Sequence, residues 1–84
     1  MLPLPVRLAH RLLALDKFGA RKAGADGALL SVSQEELAFM LGVSRQSVNR
    51  QLKHWEQAGW LRQRYGRIEL RDREALAAVD HSGE

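Results

Sequence analysis

The 84-residue sequence contains no cysteine. Without thiols the chain can hold no disulfide framework, thiolate zinc site or cysteine-bound iron–sulfur cluster, which fits a reducing cytosol. Proline is confined to Pro3 and Pro5. Each biases its predecessor away from helical backbone, making residues 1–5 an extended lead-in, and Pro5 suits the first turn of a following helix. No apolar run approaches the roughly 20 residues that cross a bilayer, and the N-terminus lacks the basic region, apolar run and cleavage site of a signal peptide. No nucleophile–base pair, phosphate-cradling glycine loop or cluster of metal ligands can be picked out, so an enzyme is not expected. Basic residues are missing from one place as well: residues 74–84 hold three Asp/Glu and no Lys or Arg.

What is present is an ordinary globular composition, 45% hydrophobic and 27% charged. At this length a single domain is expected, with a thin core that buries roughly 60–65% of the unfolded surface. The formal net charge is +3, but its distribution matters more than its sum. Residues 42–73 hold eight Lys/Arg against three Asp/Glu, whereas residues 1–41 hold five against four. Such a segment favours a polyanion and makes binding salt-dependent through counterion release. A basic helix can also face an acidic membrane, but here its apolar stripe is needed for the core.

The stretch Ser33–Gly59 organises the chain and reads as two helices joined by a tight turn. Ser33 is a good N-cap and Glu36 follows three residues later, the arrangement of a reciprocal capping box. Leu37, Met40 and Leu41 fall at helical spacing, and Ala38 is small enough for a neighbouring helix to approach. Gly42 ends this helix, 34–41, because a left-handed C-terminal residue costs least without a Cβ. Ser44 caps a second helix, 45–58, whose Val48, Leu52 and Trp55 form an apolar stripe against the first, with Val43 closing the corner. Its other face carries Arg45, Gln46, Asn49, Arg50 and Lys53. Arg bonds bidentately to guanine, Gln or Asn to adenine, and Lys acts as a point charge on phosphate. Ala38, Gly42, Val43 and Val48 match the helix-turn-helix pattern; the competing reading is an αα-hairpin with a hydrated polar face.

Before this unit, Val6–Lys17 carries Leu8, Ala9, Leu12, Leu13 and Leu15 as a wide stripe, which predicts an amphipathic helix over 6–17 with Arg7 and Arg11 outside. His10 near the stripe reads as a partly buried structural histidine, since no Cys, His or paired carboxylate stands at metal spacing beside it. Phe18–Ala28, with three glycines, reads as a surface loop whose Arg21 and Lys22 are solvated. Leu29–Val32 is a short strand. After the second helix, residues 60–70 alternate on both sides of Tyr65-Gly66 and predict a β-hairpin, with Trp60, Ile68 and Leu70 inward and Arg62, Arg64 and Arg67 outside and at the tip. Beside a helix-turn-helix such a hairpin is a wing; otherwise it is an edge protected from aggregation by charge. Asp72 caps a short last helix, 73–79, with Leu76 and Val79 inward, and the tail from His81 frays. The predicted fold is mostly α with a small β-hairpin, a winged helix-turn-helix.

The runs RLAHRLLAL (Arg7–Leu15), LSVSQEELAFMLGVSRQSVNRQLKHWEQAGWL (Leu30–Leu61) and GRIELRDREAL (Gly66–Leu76) carry a more specific likeness. Together they resemble the C-terminal DNA-binding domain of the cyclic-AMP receptor protein and fumarate–nitrate regulator (Crp/Fnr) family of bacterial transcription regulators. The resemblance implies major-groove contacts from Ser44-Arg45 and Arg50. Where some members carry a Glu that accepts from cytosine, Gln46 stands here and points toward adenine, and Asn49 adds a base or phosphate contact. Ser33, Ser44 and Ser47 are implied at the DNA backbone together with Lys53 and the wing residues Arg64 and Arg67.

Family members also carry an N-terminal β-barrel sensor and a long dimerisation helix, which together need well over 84 residues. The resemblance therefore implies a domain of a longer parent protein that works as a homodimer on a palindromic operator in the bacterial cytoplasm, associated with the nucleoid. RNA polymerase is the further partner it implies. No cofactor is expected in this chain; a sensor ligand such as a cyclic nucleotide would belong to the longer parent. The alternative function is a winged-helix protein-interaction or assembly module, which requires Trp55, Trp60 and Tyr65 to be exposed.

Overall fold

Ser33, Ser44 and Asp72 start three helices by the same chemistry, a side-chain oxygen that accepts a backbone N–H otherwise left without a partner. In the computed structural model, which describes residues 2–17, 28–64 and 66–79, the Ser33 hydroxyl accepts from Glu36 N–H at 3.1 Å and the Glu36 carboxylate accepts from Ser33 N–H at 2.8 Å. Helix α2 then runs Gln34–Leu41. Ser44 Oγ accepts from Ser47 N–H at 3.1 Å and opens α3, Arg45–Gln57. Asp72 accepts from Ala75 N–H at 3.0 Å and opens α4, Arg73–Ala77. The first helix, α1, covers Leu4–Lys17 and begins two residues before the expected start. The expected loop from Phe18 with Arg21 and Lys22, the turn residue Tyr65 and the tail from His81 lie outside the described residues.

The corner between α2 and α3 depends on Gly42, whose φ of 69° is left-handed. A Cβ there would meet no atom within 4 Å. The requirement for glycine is thus the backbone conformation, not the room. Val43 N–H returns to the Ala38 carbonyl at 3.1 Å and ties the turn to the end of α2.

Strands β1 (Ala28–Leu30), β2 (Leu61–Arg64) and β3 (Arg67–Leu70) form one antiparallel sheet in the order β1-β3-β2. The short strand before the helix-turn-helix therefore pairs with the second arm of the hairpin, Leu30 opposite Ile68. The core collects Leu8 and Leu12 of α1, Leu37 and Leu41 of α2, Val48, Leu52 and Trp55 of α3, Leu61 and Ile68 of the sheet, and Leu76 of α4. An Arg73–Asp16 ion pair at 2.8 Å adds a polar tie between α4 and α1.

Four readings of the sequence are corrected. His10 is exposed, because the buried arc of α1 is centred on Val6, Leu8, Ala9 and Leu12. Arg7 is not an outward residue: its guanidinium, half-buried, donates to the Leu41 carbonyl, one of the orphan acceptors at the end of α2. Met40 is 40% exposed, since the buried arc of α2 runs through Leu37, Ala38 and Leu41, and Phe39 on the far side is 88% exposed. Leu61, not Trp60, is the buried residue of the first hairpin arm. Trp60 lies in the turn that Gly59 makes at φ 83°, stacks on Trp55 at 6.1 Å between ring centroids, and accepts Arg71 and Asp72 N–H at its carbonyl.

Trp55 is 3% exposed and sits where α3, the turn and the sheet meet. Its truncation to alanine is expected to cost about 3–5 kcal/mol, most of the stability of a small domain. Arg7→Ala, which strands a carbonyl, is expected to cost about 1–3 kcal/mol. Urea unfolding followed by tryptophan fluorescence for Arg7→Ala and by circular dichroism for Trp55→Ala measures both; an unchanged midpoint for Trp55→Ala would remove that side chain from the core.

Candidate nucleic-acid interface

Burying Val48, Leu52 and Trp55 turns the opposite side of α3 outward. Arg45, Gln46, Arg50 and Lys53 are exposed there, and Asn49 is half-buried. Among the described residues the side chains of Arg45, Gln46, Arg50 and Lys53 make no hydrogen bond or ion pair. Two nearby carboxylates are engaged elsewhere. Glu56 accepts the backbone N–H and the Nε2 of Gln63 at 3.2 and 3.3 Å, and Glu69 faces Arg71 at 3.8 Å.

The expected residues fall into neighbouring concavities. Ser33, Arg45, Arg64 and Arg67 line a cleft between the starts of α2 and α3 and the wing. Arg45, Gln46 and Asn49 share a second with Gln34. Ser47 and Arg50 meet His54 and Leu4 in a third, where the start of α1 approaches α3. Lys53 lines none of these three and stands exposed further along the helix. Three arginines give the first cleft a positive charge, partly offset by Glu35 at its rim.

Hydrogen bonding separates the three serines. Ser44 uses its hydroxyl both ways, accepting from Ser47 N–H and donating to Ser47 Oγ at 2.9 Å. Ser47 keeps its own hydroxyl proton. Ser33 has its N–H on Glu36 and its oxygen on the Glu36 N–H, so only its hydroxyl proton is left to offer a ligand.

At the wing, Gly66 holds φ 73° and Arg64 and Arg67 stand directly opposite each other, both exposed. Like charges in that register repel. Arg62 stands opposite Glu69, so among the described cross-strand pairs the tip alone sets two like charges against each other.

The sequence reading missed one group. Gln34 Nε2 donates to Asn49 Oδ1 at 2.9 Å and also to Gln63 Oε1, and Gln63 in turn donates to Glu56. The available signal was Gln63: the parity that buries Leu61 also turns Gln63 inward, and an inward polar side chain needs partners. Which partners it finds depends on how α2 crosses α3, which no local pattern encodes. No group of three or more metal-ligating side chains occurs among the described residues, and none of their helices is long and apolar enough to cross a membrane.

A helix-turn-helix with a free polar recognition face, flanked by a basic hairpin, defines the class: a winged helix-turn-helix DNA-binding domain. The chain belongs to the Crp-like helix-turn-helix domain family, whose model matches residues 6–79. It is 36% identical over 75 residues to a CRP-like cAMP-activated global transcriptional regulator of Mycobacterium tuberculosis, covering 88% of this chain and 34% of that protein. It thus spans about a third of the length of the curated relatives it matches. A CRP/FNR-family transcriptional regulator from Thermus thermophilus superposes with a TM-score of 0.83 at 28% identity, over 90% of this chain and 39% of that one. The CO-dependent transcription factor of Carboxydothermus hydrogenoformans superposes with a TM-score of 0.76 at 29% identity, over 87% and 34%. DNA binding in transcription regulation is the function of the domain.

The Arg64–Arg67 repulsion has a measurable cost. Arg67→Ala is expected to raise stability by about 0.2–1 kcal/mol, read as a higher urea midpoint that converges with wild type at high salt. A lower midpoint would mean that the tip is not under charge strain.

Proposed function

We propose that this chain reads one half-site of double-stranded DNA sequence-specifically, with α3 in the major groove and the β2–β3 wing on the phosphate backbone. The observation that carries the reading is the state of the α3 face: Arg45, Gln46, Arg50 and Lys53 are exposed and unengaged among the described residues, while the Glu56 and Glu69 carboxylates bond elsewhere. In this reading Arg45, Gln46, Asn49 and Arg50 meet base edges, and Ser33, Ser44, Ser47, Lys53, Arg64 and Arg67 meet the backbone. Ser44 acts chiefly by holding the first turn of α3, since its hydroxyl is already engaged.

The chain serves as the DNA-reading domain of a longer, dimeric bacterial regulator in the cytoplasm, with its DNA in the nucleoid. Two copies then read a palindromic operator whose half-sites lie about one turn of DNA apart. RNA polymerase and a sensor ligand such as a cyclic nucleotide act through that longer protein; the M. tuberculosis relative is described as cAMP-activated. Linking two copies raises affinity through effective concentration, so a single domain binds one half-site weakly.

Selection from a random duplex library at high protein concentration and one stated low salt tests this reading. An enriched half-site of a few base pairs is expected, altered at one position by Gln46→Ala. Arg45→Ala and Arg50→Ala are each expected to cost about 1–3 kcal/mol and relax one base position, whereas Arg67→Ala weakens all sequences alike. Equal losses on specific and random DNA for the two helix arginines would sink the base-reading assignment.

A further inference from the structure

Glu56, Gln63, Gln34 and Asn49 form a chain of side-chain hydrogen bonds from α3 through β2 and the start of α2 back to α3. One end of this chain has no freedom of polarity. A carboxylate only accepts, whereas a carboxamide has a donor side and an acceptor side that can exchange places. Because the Glu56 carboxylate takes both the N–H and the Nε2 of Gln63, the Gln63 oxygen must face Gln34. Gln34 answers with its Nε2, and the second proton on that nitrogen goes to Asn49 Oδ1 at 2.9 Å. Asn49 is thereby held with its oxygen inward. Its NH2 group is the side left for a ligand, in the concavity it shares with Arg45 and Gln46.

Resting on the reading of α3 as the base-contacting helix, we infer that this relay makes Asn49 a donor-only reader, favouring at its strand position a base that presents a keto oxygen in the major groove over one that presents only an amino group there. Guanine O6 and thymine O4 accept there, adenine N6 and cytosine N4 donate, and N7 of either purine accepts, so cytosine is the base a donor-only side chain excludes most fully. The usual bidentate pairing of asparagine with adenine uses the side-chain oxygen that Gln34 occupies. Gln46 has no such partner among the described residues and turns freely, so neighbouring carboxamides on one helix face read by different rules. Gln34, Gln63 and Glu56 are positioning residues: they set which side of Asn49 is shown without touching the base.

The polarity can be reversed at constant charge. In the double variant Gln34→Glu/Glu56→Gln the acceptor-only end moves to position 34, so Asn49 must donate inward and show its oxygen. Random-duplex selection with the wild-type chain, Asn49→Ala and this double variant is the test. At the position that Asn49→Ala relaxes, wild type is expected to prefer guanine or thymine over cytosine, and the double variant adenine or cytosine over guanine and thymine, by roughly tenfold each. The same preference in both proteins would overturn the relay, as would a motif that Asn49→Ala leaves unchanged. No enriched motif with wild type would remove the base-reading assignment itself and the inference with it.

Side-chain amide exchange in the free wild-type domain, followed by NMR, requires neither DNA nor a folded variant. Slow exchange is expected for both Gln34 Nε2 protons and fast exchange for those of Asn49 Nδ2. The reverse order would overturn the inference.

Discussion

Val48, Leu52 and Trp55 occupy one side of α3, and their burial against α1, α2 and the sheet fixes the rotation of that helix about its axis. With about 100° between successive residues, positions 45, 46, 50 and 53 then have nowhere to go but outward, and Asn49 stands half-buried at the edge of that face. Gly42 makes the crossing possible by turning the chain through a left-handed conformation, and the Ser44 cap starts the helix at one residue and no other. The side chains offered to a ligand are thus decided by the apolar ones opposite them. This is why loss of Trp55 threatens recognition as well as stability, although that ring lies on the inner side.

Much of this was legible in the sequence, because the devices involved are local. The capping box at Ser33 and Glu36, the glycine at position 42 and the i, i+4, i+7 stripe of α3 each fit within one or two turns of backbone, and the structure has all of them. The wing was legible from alternation and Gly66. What could not be read was anything set by how elements cross. Met40 is as apolar as Leu41 but sits on the rim of an arc whose centre depends on α3. Arg7 is an outward residue by periodicity and an inward one by chemistry, because the end of α2 happens to present a carbonyl within reach of its guanidinium. Trp60 fails the strand pattern for a related reason. Gly59 places it in the turn, where its ring serves Trp55 and its carbonyl gathers two N–H groups ahead of α4.

The interface also shows where the fold departs from its own stability. Arg64 and Arg67 face each other at the tip of the wing although the next pair on the same face, Arg62 and Glu69, is opposite in charge. A hairpin selected for stability alone would alternate charge to its end. In the proposed function, a phosphate between the two guanidiniums would convert their repulsion into a shared attraction, and the pair that is unfavourable in the free domain would serve the bound state. The same logic applies to Arg45, Arg50 and Lys53, which stay hydrated while Glu56 and Glu69 bond to other partners.

Glu56 connects these two themes. Paired with Lys53 or another basic residue, it would neutralise part of the recognition face and weaken the attraction for a polyanion. Bonded instead to the backbone and side chain of Gln63, it is taken off that face and joins β2 to α3. Gln34 extends the connection to the start of α2, so reading helix, supporting helix and wing share one set of hydrogen bonds. A rigid link of this kind matters because base edges and phosphates must be met together: a wing free to move relative to α3 would let backbone contacts form in a register where the bases are wrong. Under the proposed function the amides would couple contacts that set position to contacts that carry sequence, and would do so through neutral groups that add nothing to the charge balance.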